Sequence, residues 1–308
     1  MNTPHKPADA LPQLHGVLVL DKPSGPTSAR CLSALKRLGQ KKIGHAGTLD
    51  PAASGVLLVL LGHATKISGY LMAGGRKVYR GALRLGLTTD SWDDTGNILS
   101  EQSWQHVSEE AVRREILAWQ GVSDQAVPPV SAAKHKGQPL YKLARAGKDV
   151  PEKIKTIEIS SSEVLDVSLP SARFRVSCSS GTYIRSLAHS LGCRLGCGAV
   201  LTELTREYSH PFALDAAHGL DDILEHPERL PEYVLPVTAA LPDWPVITVA
   251  GEDAARLRNG TPVPCRKDDP AAENAVLVDE NGNALALSQR ETVGGLPCRT
   301  VLRGLWNP

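Results

Sequence analysis

The sequence predicts an α+β fold, with a mixed, largely antiparallel central sheet followed by a small C-terminal β-barrel. Three observations carry this reading. Strand-sized apolar or alternating runs recur at residues 16–20, 56–61, 78–87 and 174–178, mixed with helical segments but without the regular βαβ alternation of a parallel doubly wound sheet. Pro227, Pro231, Pro236, Pro242 and Pro245 cluster where a linker or domain seam is expected. Beyond them, short runs are broken by Asn259-Gly260, by residues 279–283 and by Gly294-Gly295, the strand-and-turn texture of a small barrel or sandwich.

Each element has a local cause. The strand at residues 16–20 runs into the turn cluster Asp21-Lys22-Pro23-Ser24-Gly25-Pro26, after which Thr27 or Ser28 can cap a helix. That helix repeats apolar residues at Cys31, Leu35 and Leu38 and can stop at Gly39. A loop holding Asp50 follows, then the buried-strand run 56–61 and a strand over 78–87 ended by a turn at Thr88-Thr89-Asp90. Ser108 starts a second helix, with Glu109 and Glu110 in its first turn where the helix dipole favours acids. Residues 131–148 form a basic excursion carrying Lys134, His135, Lys136, Lys142, Arg145 and Lys148. Gly181-Thr182-Tyr183-Ile184-Arg185 leads into a helix ending near Gly196. The expected division is a flexible lead-in over 1–15, a main domain over 16–245 with a basic insertion at 128–155, and a small domain over 246–308.

The chain of 308 residues carries a net charge of only +1, yet residues 1–90 hold 12 Lys and Arg against 4 Asp and no Glu. A basic N-terminal portion on a neutral chain suits a local anionic ligand. No apolar run reaches the roughly 20 residues of a membrane span. The six cysteines are too sparse for a disulfide framework, so a reducing, cytoplasmic setting is expected. His189, Cys193 and Cys197 share one helical face, but with no obvious fourth ligand and a break at Gly192 the expectation is no metal site.

Asp50 is framed by Gly44, Gly47 and Gly55 and followed by Pro51, which pushes it towards an extended backbone. Such a loop could present one carboxylate to a ligand, although glycine, aspartate and proline are turn residues first. Taken with its neighbours, the segment says more. The stretches 20–25 with Thr27-Ser28, 44–51 through Gly55, Lys77-Val78-Tyr79, Leu85-Gly86 with Thr89-Asp90, Pro128-Pro129 with Ser131-Ala132 and Lys134, and 181–185 keep an order and spacing across residues 16–215. The sequence resembles the TruB family of tRNA pseudouridine-55 synthases.

That resemblance implies a pseudouridine-synthase fold, a C-terminal domain of the RNA-binding PUA type, and isomerisation of a uridine in the TΨC arm of tRNA. Asp50 matches the family's catalytic aspartate, which attacks ribose C1′ or assists loss of a C2′ proton. Arg185 matches the arginine that pairs with it, keeping the carboxylate ionised and oriented. Tyr79 matches the tyrosine that faces the target base and can move a proton at C5. His45 matches a histidine that meets the RNA where the base has left its stack. Tyr183 and Leu204 match residues lining the uracil pocket. Lys22 is expected to support the loop or meet a phosphate. An isomerisation needs no metal or organic cofactor, and no dinucleotide or Walker-type fingerprint is present. The expected partner is the T arm of tRNA, clamped by the basic insertion, with no membrane, no obligatory protein partner and a monomeric chain.

Two positions depart from the family: Ser190 stands where an Asp is common, and Glu203 lies in a run that is usually more basic. The small C-terminal region has 7 Lys and Arg against 8 Asp and Glu, which suggests an auxiliary grip on the acceptor side. Two other readings compete with the stand-alone enzyme. One is a guide-RNA-dependent synthase, the other an RNA-binding or RNA-folding factor whose catalysis is incidental.

Overall fold

The computed structural model describes residues 11–306. Its first part is built on strands β1 (Gly16–Lys22), β2 (Ile43–Ala46), β3 (Ser54–Leu61), β4 (Lys77–Leu85), β5 (Gly121–Ala126), β6 (Ile154–Ser168), β7 (Ser171–Cys178) and β8 (Ala199–Ser209). They join in the order β1-β3-β8-β4-β7-β6-β5, with β2 on the free stretch of β3. Every pairing along that path is antiparallel except β3 with β8, where Ser54 faces Thr205 and Gly55 faces Arg206. The expected mixed, largely antiparallel sheet is therefore present.

The continuous apolar runs follow from burial on both faces. Leu18 and Leu20 of β1 enter one core with Leu57, Val59 and Leu61 of β3 and with Cys31 and Leu35 of helix α1 (Ser28–Arg37). Helices α2 (Glu109–Leu117) and α3 (Ile184–Arg194) add Val112, Ile116, Leu187 and Leu191 to that same core. Val17, Val19, Val56, Leu58 and Leu60 point the other way, into a second core. Both predicted caps form: Thr27 Oγ1 accepts from Arg30 N–H at 3.1 Å, and Ser108 Oγ accepts from Ala111 N–H at 3.2 Å.

The second core joins the central sheet to the C-terminal one. Strands β9 (Val246–Thr248), β10 (Val263–Pro264), β11 (Asn274–Val278), β12 (Ala284–Val293) and β13 (Leu296–Gly304) pair in the order β9-β11-β12-β13-β10. Among the described residues β9 and β10 do not pair with each other, so the sheet is curled as a half-barrel rather than closed. Val276, Val278 and Leu287 pack in one cluster with Val17, Val19 and Leu58. The proline-rich seam contributes Val237, Ala240 and Leu241 to it, so this stretch is packed against the sheet.

Three local expectations change. Residues 87–89 are a short strand paired with Ile98–Glu101, not a turn. Residues 154–168 form a long strand that sequence reading did not mark, because most of its side chains are exposed and supply little apolar signal. The part of the lead-in that is described, residues 11–15, is anchored: Leu11 N–H donates to Leu38 O at 3.0 Å, Leu14 N–H donates to Gln40 Oε1 at 2.8 Å, and His15 stacks on His63. Residues 1–10 lie outside the described residues.

Candidate active site

The loop between β2 and β3 is held by its backbone. Lys22, fully buried at the end of β1, donates to Pro23 O at 2.8 Å, Pro51 O at 3.1 Å and Ala53 O at 2.6 Å. All three of its N–H donors are thereby occupied, so Lys22 braces the loop and has none left for a phosphate. Ser24 Oγ donates to Ala52 O at 2.8 Å, and the Gly25 N–H donates to Pro51 O at 2.8 Å. Buried Ser28 closes the clamp by donating to Leu49 O at 3.0 Å and accepting from Leu49 N–H at 3.1 Å. The turn cluster before α1 is thus the mould of the Asp50 loop.

From the other side the loop rests on β8. Arg206 is 1 % exposed, and its guanidinium donates to Val56 O at 2.7 Å and Gly47 O at 2.8 Å. Gly55 makes this approach possible: it has a positive φ, and a β-carbon there would lie 2.3 Å from Arg206 O. Sequence reading missed Arg206 as a site residue. Its place depends on Arg206 standing opposite Tyr79 across β8 and β4, between two register shifts that no periodicity in one strand reveals.

Leu49 and Ala53 anchor the loop in the core, and Asp50 between them remains partly open. Arg185, in the first turn of α3 and 4 % exposed, donates through Nε to Asp50 Oδ2 at 2.9 Å. Its other nitrogens donate to Ser91 O at 2.6 Å and Val130 O at 3.0 Å, and Asp93 Oδ2 lies 3.7 Å from Nε. The guanidinium is therefore fixed on every side, and it fixes one oxygen of Asp50 while the carboxylate as a whole stays accessible. Asp93, also missed, is held by Ser91 Oγ and Thr95 Oγ1, which donate to its Oδ1 at 2.7 and 2.6 Å.

A cavity of about 400 Å³ opens over this pair, within the roughly 300–1,000 Å³ of small-ligand pockets. Asp50, Tyr79, Tyr183, Arg185 and Leu204 all line it, and so do Lys77 and Arg206. Tyr79 is 7 % exposed, and burial pushes its phenol up, partly offset by Arg206. Burial likewise raises the Tyr183 phenol; its backbone N–H is held by Gln125 Oε1 at 2.7 Å. Between them these rings and Leu204 present an apolar slot with polar tips.

Two of the anticipated residues stand apart from the cavity lining. Lys22 lies behind the loop, as described. His45 sits in β2 opposite Val59, where burial and then Arg206 lower its pKa and its Nδ1 has no hydrogen-bond partner. At the two family departures, Ser190 Oγ accepts from Arg194 at 2.6 Å, and Glu203 faces Arg173 at 3.8 Å while sharing the lining of a small cavity with Asp50. His189 stacks on Trp92 with ring centroids 4.3 Å apart. Among the described residues no group of three or more His, Cys, Asp or Glu could hold a metal, and no helix is long and apolar enough to cross a membrane.

Residues 36–184 match the TruB family pseudouridylate synthase (N terminal domain). A tRNA pseudouridine synthase B of Nitratidesulfovibrio vulgaris is 62% identical over 301 residues, covering 96% of this chain and 99% of that one. Another, of Geobacter sulfurreducens, is 43% identical over 258 residues, covering 83% and 84%. Among solved structures, a Cbf5-Nop10-Gar1 complex is similar with a TM-score of 0.69 and 26% identity, over 95% of this chain and 85% of that one. On these likenesses the chain belongs to the TruB family of pseudouridine synthases.

Proposed function

We propose that this isomerase converts uridine-55 in the TΨC loop of tRNA to pseudouridine, taking the flipped base into the cavity over Asp50. The observation that carries the reading is the Asp50–Arg185 pair: a single accessible carboxylate, held at one oxygen by a buried guanidinium, on the floor of a slot lined by two tyrosines and Leu204. The relatives' names supply the tRNA.

The reaction breaks the N1–C1′ bond, turns the detached uracil and joins C5 to C1′; the C5 proton is lost and N1 gains one. Asp50 acts on the ribose, as nucleophile at C1′ or as base towards the C2′ proton, and Arg185 holds the carboxylate to a single orientation. Tyr79 and Tyr183 give the turning ring flat apolar faces, and the Tyr79 phenol, protonated at neutral pH and pushed further up by burial, offers a hydrogen-bonding tip to the base. Extruding the base costs a few kcal/mol of stacking and pairing, which a slot of this kind offsets.

The remaining assignments share this basis. Residues 16–245 form the catalytic domain and residues 246–308 a PUA-like domain that grips the acceptor side. The cations of the 128–155 insertion hold T-arm phosphates without reading sequence. His45 meets the RNA at the opened stack. The chain works in the cytoplasm as a monomer, without a metal, organic cofactor or obligatory protein partner. The likeness to a Cbf5 complex keeps a guide-dependent reading in view, and one experiment separates the two. Purified chain and unmodified tRNA, with no other RNA, should yield pseudouridine at position 55; no product without a guide sinks the stand-alone reading. Asp50→Asn should give no product while its tRNA affinity stays within about threefold, since affinity rests on phosphate contacts.

A further inference from the structure

Lys77 opens β4 two residues before Tyr79, so both side chains leave the same face of the strand, and both line the cavity. Lys77 is 7 % exposed, and its ammonium has one hydrogen-bond partner among the described residues, Ser180 Oγ at 2.9 Å. It has no carboxylate partner there, and Asp50 is engaged by Arg185. A β-carbon placed on Gly47 would lie 3.5 Å from Lys77 Nζ and 3.4 Å from an Arg206 nitrogen, which sets the ammonium against the Asp50 loop and beside a second cation.

Lys77 differs in kind from two other buried cations that hold the Asp50 loop. Lys22 has three carbonyls for three N–H groups, and Arg206 is tied to Val56 O and Gly47 O. Lys77 keeps two donors without an acceptor at the reaction cavity. Burial, together with Arg206 and Lys155, pushes its pKa down to about 8, so it is charged at neutral pH but uncompensated. An uncompensated buried charge is costly, and an anionic group arriving in the cavity would offset that cost.

We infer that Lys77 is a catalytic residue whose ammonium donates to a carbonyl oxygen of the uracil and stabilises the negative charge on the base while it is detached from the ribose. The inference rests on the isomerisation proposed above. When N1–C1′ breaks, the electron pair goes to N1 and spreads onto the two carbonyl oxygens. When C5–C1′ forms, the pair leaves through that new bond, the C5 proton is released and N1 is protonated, so no co-reactant is needed. Charge that develops only along this path is what a preorganised donor stabilises best. The donor also stays in contact as the ring turns, because either carbonyl oxygen serves it.

The test uses the full chain and unmodified tRNA under single-turnover conditions. Lys77→Met should lower the rate at saturating enzyme by about 100-fold, the scale of losing one such donor, with tRNA Kd within about threefold of wild type. Lys77→Ala should regain at least about tenfold of its lost rate with millimolar methylammonium, which places a cation in the vacated space, and nothing with tetramethylammonium, which has no N–H. A Lys77→Met rate within about threefold of wild type overturns the inference. So does a loss confined to Kd, which would make Lys77 a phosphate contact, or a Lys77→Ala rate indifferent to methylammonium, which would leave it a structural cation. If wild type itself makes no pseudouridine, the reading beneath has failed, an outcome the variants cannot mimic.

Discussion

Arg206 in the central sheet and Arg299 in the C-terminal sheet are built alike but surrounded differently. Each is an almost fully buried arginine on a strand whose guanidinium donates to two backbone carbonyls of a neighbouring segment: Val56 O and Gly47 O for Arg206, Glu273 O at 3.1 Å and Pro270 O at 2.8 Å for Arg299. Arg206 borders a cavity of about 400 Å³ that is also lined by the Asp50 carboxylate and the Lys77 ammonium. Arg299 does not line that cavity, and its remaining nitrogen, Nε, has no partner among the described residues. A buried arginine on carbonyls is thus a way to tie a loop, wherever it occurs. What distinguishes Arg206 is that the loop it ties carries Asp50 at the edge of an open cavity.

The sharpest way to break the comparison is at Arg185, the cation that touches the carboxylate itself. Arg185→Lys keeps the charge but cannot reach Asp50, Ser91 O and Val130 O together; the single-turnover rate should fall by about 1,000-fold with tRNA affinity nearly unchanged. A loss below about tenfold would mean that charge alone suffices. Arg206→Met should cost stability of about 3 kcal/mol by leaving two carbonyls undonated, read as the denaturation midpoint, and should also slow catalysis because the Asp50 loop loses its floor. Arg299→Met should cost a similar or smaller amount of stability, about 1–3 kcal/mol, while the rate per folded molecule stays within about twofold. If Arg299→Met slowed the chemical step as Arg206→Met does, the two sheets would be coupled and the distinction would collapse. The smallest effect is expected from Lys134→Ala with Lys142→Ala in the basic insertion: unchanged saturating rate, weaker tRNA binding, and a slope of affinity against salt reduced by about two charges.

How much of this could be read from the sequence depended on how local each cause was. The turn cluster, the Thr27 cap and the glycine-framed loop were visible because each is set by neighbours in the chain. Val17–Leu20 read as a strand because a strand buried on both faces is an unbroken apolar run. The pairing of Asp50 with Arg185 was reachable only through resemblance, since nothing in either segment points to the other. Arg206 escaped because two register shifts in β8 decide what it faces. For Lys22 the sequence left open a loop support or a phosphate contact; its burial and the carbonyls around it, which make it a brace, could not be seen there. The 15-residue strand β6 escaped for the opposite reason: its outward face is wet and polar, so it resembles a loop until its partners on both sides are known.

The carboxylate and the guanidinium that define the site are separated by 135 residues, and Arg206 stands 159 residues from the glycine it holds. A chain still being synthesised, with its first 180 residues outside the ribosome, has the aspartate but neither arginine. It has the turn cluster that braces the loop from one side, but none of the arginine contacts from the other. Translation therefore separates making the carboxylate from completing the contacts around it: the Asp50–Arg185 pair has no existence until Arg185 has been made.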